Sequence, residues 1–218
     1  MKIPKIKVSS VANLTDARYF AARGVDWLGF DFHHGTATAL SPATALAIKE
    51  WVEGAGFIGA FDWADADEIL QVVQRVGLQG VEVGKFTPAP ILETLSSQLP
   101  VFREIVVEYD SSVADYFESI ESVEPFVYAT VLNFNKNGLE WDTLQRQGRF
   151  SIQALQELCE RFPILIAMQI SPETLPTFIE AVQPFGLVIE GGVEEKVGVK
   201  TFDDYDNWFD ALEVVTNP

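Results

Sequence analysis

The chain has 218 residues, 48% of them hydrophobic, and sets 32 Asp and Glu against 15 Lys and Arg for a formal charge of −17. That excess of carboxylates repels polyanions and argues against nucleic acid or an anionic membrane as a partner. No run of about 18 apolar residues and no basic start before an apolar block occurs, so the expected setting is cytoplasmic. The single Cys159, in the helical run ALQELCERF, reads as a buried structural thiol and leaves neither disulfide nor cysteine-ligated metal available.

In chain order, KIKVS (5 to 9) reads as a strand, and NLTDARYFAARG follows as a helix closing on Gly24. DWLGFDF (26 to 32) is the second strand, with SPATALAIKEWVEG after it, capped by Ser41 with Pro42 in its first turn and closing on Gly54. GFIGAFD (56 to 62) precedes DADEILQVVQRVG, which ends on Gly77. Five more strand-like runs complete the set: QGVEVG (79 to 84), VFREIVVEY (101 to 109), PFVYATVL (125 to 132), PILIAM (163 to 168) and FGLVIEG (185 to 191). Before the last of them, SPETLPTFIEAVQP repeats the Ser-Pro helix start at Ser171 and Pro172, with Pro176 within or near the first turn.

Eight strand and helix pairs with no linker or low-complexity tract between them predict an α/β fold, a (β/α)8 TIM barrel forming one domain over residues 1–218. An open doubly wound sheet would alternate in the same way, but no Gly-x-Gly-x-x-Gly opens a helix and no Walker A lysine motif is present. In such a barrel, chemistry belongs at the carboxyl ends of the strands.

KVSSVANLTDARYFAARGVDWLGFDF resembles the opening of the phosphoribosylanthranilate isomerases, at Lys7, Asn13, Asp16, Ala17, Gly24, Asp26, Gly29 and Phe30. The last unit is similar too, at Gly192, Val193, Glu194, Gly198, Val199 and Lys200. Weaker landmarks lie between, at Leu40 to Pro42 and Ser171 to Glu173. The resemblance implies the same barrel and an Amadori rearrangement that opens the ribose of phosphoribosylanthranilate. It assigns the base to a strand-one cysteine and the acid to an aspartate after strand six, and it implies no cofactor.

Carried over position by position, the cysteine falls on Ser9, whose hydroxyl is far less acidic than a thiol, and the aspartate on Asp142 in NKNGLEWDTL. Ser10 stands at a family glycine. The family's phosphate-binding Gly-Gly after strand seven is Met168 and Gln169 here, and the segment after strand eight is Glu190, Gly191 and Gly192. Gly191 and Gly192 remain candidates for an amide nest, with the Glu190 carboxylate opposing an anion beside them. The family arginine before the Ser-Pro of helix two is Thr38, and the strand-four histidine is Gly84.

Lys7, His33, Glu190, Gly191 and Gly192 are therefore the expected ligand-binding residues, with Asn133 and Asn135 as further contacts. Of the adjacent His33 and His34, alternation lets at most one face the pocket. Asp31, Asp62, Glu82, Glu108 and Glu190 fall near strand ends, with Lys7, Lys85 and Arg103 as partners. An inward acidic cluster would favour a cationic ligand over a sugar phosphate. No His and Asp spacing singles out a metal.

Three readings stay open: a working isomerase using Asp142 and a substitute base, a barrel that has altered or lost the ancestral reaction, and a non-catalytic metabolite-binding or protein-binding barrel. The expected partner is a small molecule at the barrel mouth, with no nucleic acid or membrane, in a monomer or homodimer.

Overall fold

A computed structural model of the chain describes residues 3–33, 35–62, 65–108, 111–141, 151–191 and 202–216. Eight parallel strands close into a barrel in sequence order. They are β1 (Lys5–Ser9), β2 (Trp27–Asp31), β3 (Gly56–Phe61), β4 (Gly80–Gly84), β5 (Val101–Val106), β6 (Ala129–Asn133), β7 (Ile164–Ala167) and β8 (Gly186–Glu190). The helices between and after them are α1 (Leu14–Ala22), α2 (Pro42–Lys49), α3 (Ala66–Val76), α4 (Ala89–Ser96), α5 (Val113–Glu121), α6 (Ile152–Arg161), α7 (Leu175–Val182) and α8 (Asp203–Thr216).

Local chemistry starts these helices where the sequence offers a cap. The side chains of Asn13, Ser41, Asp65 and Ser151 each accept the backbone N–H three residues on, satisfying a donor that the first turn leaves free. Several expected boundaries move, among them α2, which ends at Lys49 rather than closing on Gly54. The run from 125 to 132 starts its strand only at Ala129, because Glu124–Phe126 is a 3-10 turn around Pro125, which cannot donate to a ladder. β5 stops at Val106, short of the expected 109. Helix α7 starts at Leu175, past the Ser171-Pro172 start, so that Pro176 sits in its first turn where no N–H is needed.

Register decides what faces inward. The pairs Lys7 with Val188, Gly29 with Ile58, Ala60 with Glu82, Gly84 with Glu104 and Val106 with Asn133 run round the wall and put one set of alternate residues inside. The lower interior is apolar: Ile58, Phe102, Ala129, Val131, Leu165, Ala167 and Val188 form one cluster, with Trp27 and Phe185 packed against it. Trp27, Phe102, Tyr128 and Phe185 close the amino-terminal end, ring against ring, with centroids 5.1 Å apart for Trp27 and Phe102 and 6.1 Å for Tyr128 and Phe185. The opposite strand faces, including Val8, Leu28, Phe30, Val81, Ile105 and Ile166, pack on the helices in the larger core.

Candidate functional site

Above the apolar layer the interior turns ionic. Lys7, only 1% exposed, points up the barrel axis and donates to Ser9 Oγ at 2.6 Å, while its Nζ lies 3.0 Å from Glu82 Oε2 on β4. Gly29 on β2 lets the β1 backbone come close, since a Cβ there would stand 3.1 Å from Val8 O and 3.4 Å from Ser9 Cα. Burying a lysine this fully demands a partner, and Glu82 supplies it.

A second pair stands on β5 and β6. Asn133 Nδ2 donates to Glu104 Oε1 at 2.8 Å, and the other oxygen of Glu104 takes the Lys136 ammonium from the loop after β6. Burial alone would lower the Lys136 pKa, but Glu104, with Glu82 and Asp62 behind it, holds it above the usual lysine value. Asn133 Oδ1 also accepts the Lys136 backbone N–H at 3.1 Å, which fixes this loop to the strand end.

The third group centres on Asp31 at the end of β2. Its carboxylate accepts from His33 Nδ1 at 2.8 Å, from Thr36 Oγ1 at 2.6 Å and from Thr38 Oγ1 at 2.7 Å. Burial pushes against its ionisation, yet these donors hold Asp31 well below the ordinary carboxylate range. The hydrogen bond to Asp31 raises His33 above its ordinary value against the opposing effect of burial, and Asp62, 3.5 Å from Nε2, adds to the rise. His33 thus meets the mouth as an imidazole oriented by one carboxylate and flanked by another. Thr38, at the family arginine, serves this aspartate.

Several expected site residues lie elsewhere. Arg103 faces outward, not to the mouth: it is buried between barrel and helix and donates to Ser119 O at 2.8 Å and Lys85 O at 2.6 Å. Alternation explains this, since Phe102 and Glu104 take the inner face of β5. Glu108 is exposed beyond the strand end, its N–H donating to Tyr116 Oη at 3.0 Å. Met168, by contrast, packs in the core yet lines the cleft beside β8 together with exposed Gln169. Cys159, packed against that core, has a thiol that burial pushes up to about 12. Asp142, Gly192 and His34, with the family-like 193–200 segment, lie outside the described residues. Among the described residues no group of three or more His, Cys, Asp or Glu could hold a metal ion, and no helix is long and apolar enough to cross a membrane.

The end of β8 differs from the expected amide nest. Gly191 N–H is already used, donating to Ser9 O at 2.7 Å. A Cβ at Gly191 would stand 3.1 Å from Ser10 O, so the glycine is required by the close approach of β1. Ser10 itself takes the left-handed conformation, with φ 57°. Beside these residues a cleft of about 930 Å³ opens between the ends of β6, β7 and β8 and the start of α8, large enough for a small metabolite.

The sequence model of the family described as "N-(5'phosphoribosyl)anthranilate (PRA) isomerase" matches residues 6–210. The chain belongs to this family. Among curated isomerases, that of Gloeothece citriformis is 27% identical, the match covering 95% of this chain and 93% of the relative, and that of Chlorobium luteolum 24%, covering 95% and 96%. The solved isomerase of Thermotoga maritima superposes with a TM-score of 0.76 at 22% identity, covering 97% of this chain and 99% of that one. A further isomerase structure, in complex with reduced 1-(o-carboxyphenylamino)-1-deoxyribulose 5-phosphate, gives the same score at 21% identity. The PRA isomerase barrel is therefore the scaffold on which Lys7, His33, Glu82, Glu104 and Lys136 are set. Sequence reasoning missed Glu104 and Lys136. The inward alternation of Glu104 with Phe102 was the available signal for the first, and none pointed to the loop lysine.

Proposed function

We propose that this PRA isomerase-family barrel has altered or lost the ancestral Amadori isomerisation of N-(5'-phosphoribosyl)anthranilate and holds a different small molecule at its mouth. The carrying observation is the contact between Lys7 and Ser9 at 2.6 Å. At the position of the family's thiol base stands a hydroxyl that accepts from an ammonium already committed to Glu82. Among the described residues no carboxylate or imidazole hydrogen-bonds that hydroxyl, so none of them is placed to take its proton. The phosphate end supports the same reading. Gly191 has spent its N–H on Ser9, and a Glu190 carboxylate within about 4 Å of a phosphate would cost about 4 kcal/mol per unit charge at an effective dielectric near 20.

One observation favours the rival reading, a working isomerase with a substitute base: the imidazole of His33, oriented by Asp31 at 2.8 Å, has the arrangement of a general base. In that case Asp142 would be the acid. Assay of the purified protein on N-(5'-phosphoribosyl)anthranilate, together with growth of a tryptophan auxotroph lacking the isomerase, separates the two. We expect neither turnover nor growth, and none from Ser9→Cys alone. Turnover by the wild-type chain that is lost in His33→Gln would establish the rival instead.

A further inference from the structure

The cleft beside β8 has a lining unsuited to an anion. Glu140, Glu190 and Asp204 face it with Trp141, Tyr205 and Trp208. Among the described lining residues the one lysine, Lys136, has its ammonium on Glu104, so none of these residues offers the carboxylates a free cation. Helix α8, which bounds the cleft, carries Asp203, Asp204 and Asp206 in its first turn, where a helix that received phosphate would present bare N–H groups and positive potential. The Tyr205 hydroxyl donates to Glu190 O at 2.8 Å, and burial first, then the charges of Asp16, Glu190 and Asp204, push its pKa up.

Indole faces beside carboxylates are the surroundings that an organic ammonium ion prefers, since the ring quadrupole and the anions attract the same charge. Trp208 is half-buried on α8 with its ring edge-on to Phe209 at 5.4 Å, and Trp141 is buried and held edge-on to Phe178 at 4.9 Å. Each ring thus packs edge-on against an aromatic neighbour.

We infer that the cleft between the ends of β6, β7 and β8 and the start of α8 binds an organic ammonium ion, with Trp208 against the cation and Glu190 and Asp204 as its counter-charges. This inference rests on the reading that the phosphorylated substrate has been given up, and names the ligand class that replaces it. The isomerase assay tests that reading, whereas direct binding tests this one, so the two can fail separately.

The experiment is a tryptophan-fluorescence titration of the full chain at low salt with benzyltrimethylammonium, benzyl alcohol, benzoate and inorganic phosphate. The cation should give a saturable change and bind at least about tenfold more tightly than the neutral alcohol, with no saturation by either anion. Glu190→Gln with Asp204→Asn should weaken it about tenfold, and added salt should do the same. Trp208→Phe, which keeps a ring against Phe209, should remove most of the fluorescence change and serves if the double variant does not fold. Saturation by phosphate, absence of saturation by the cation, or unchanged cation binding in these variants would each overturn the inference.

Discussion

Lys7 and Ser9, two residues apart on β1, meet inside the barrel with Nζ 2.6 Å from Oγ, and Glu82 completes the contact from β4 at 3.0 Å. Breaking this pair from one side leaves a carboxylate buried without its cation. Lys7→Met should therefore cost about 3–5 kcal/mol of stability in urea unfolding. Lys7→Met with Glu82→Leu should recover most of that loss, because replacing both charges removes the desolvation penalty. A double variant as unstable as the single one would show that Lys7 does not depend on Glu82.

Gly29 sits close against the backbone of β1. In Gly29→Ala the new methyl meets Val8 O at 3.1 Å, and backbone cannot move aside as a side chain can. We expect a loss of about 1–3 kcal/mol, read as a lower denaturation midpoint with an unchanged denaturant slope.

Ser10 holds φ 57°, a conformation that costs a non-glycine residue about 1–2 kcal/mol. Ser10→Gly removes that strain and adds back a smaller entropic penalty, so it should stabilise the fold by about 0.5–1 kcal/mol. Ser10→Val should do the opposite. Thermal midpoints of the two variants check the sign.

The Lys7 ammonium favours an anion at position 9. In Ser9→Cys the introduced thiol should titrate below the ordinary cysteine value, whereas Cys159 lies at about 12 and stays protonated. Alkylation by iodoacetamide near neutral pH, followed by peptide mapping, should modify position 9 and spare Cys159. The pH at which its rate is half-maximal should rise when Lys7→Met is added.

His33 is raised above 6.5 in the folded state by Asp31, with Asp62 adding to the rise. A group raised on folding stabilises below its unfolded pKa, and that stabilisation is lost as the pH climbs through the folded value. The gap in unfolding free energy between wild type and His33→Gln should therefore be widest below about pH 6 and narrow toward pH 9. Asp31, depressed in the folded state, stays ionised throughout this range and does not blur the comparison. A gap that is flat across the range would mean the imidazole gains no proton affinity from its carboxylates.

The alternation of strand and helix was legible because each strand here is a short apolar run bounded by turn residues, and Lys7, Ser9 and Glu82 could be placed at strand ends for the same reason. Which charged residues look inward was not, since that depends on stagger between strands distant in sequence. Arg103 and Glu104 are neighbours, and only pairing with β4 and β6 decides that Glu104 enters the barrel while Arg103 reaches Ser119. His33 and Asp62 likewise approach only because β2 and β3 lie side by side. At the end of β8 the glycines were read as free donors, and the seam between β8 and β1 had already claimed Gly191.

The rings of Trp27, Phe102, Tyr128 and Phe185 make the barrel a cup rather than a tube. The ionic groups of the interior lie on the far side of that aromatic layer, toward the rim. The base that keeps the cup closed shares no side chain with the rim that meets a ligand. A lineage could thus exchange the occupant of the rim, residue by residue, while the vessel stayed folded throughout.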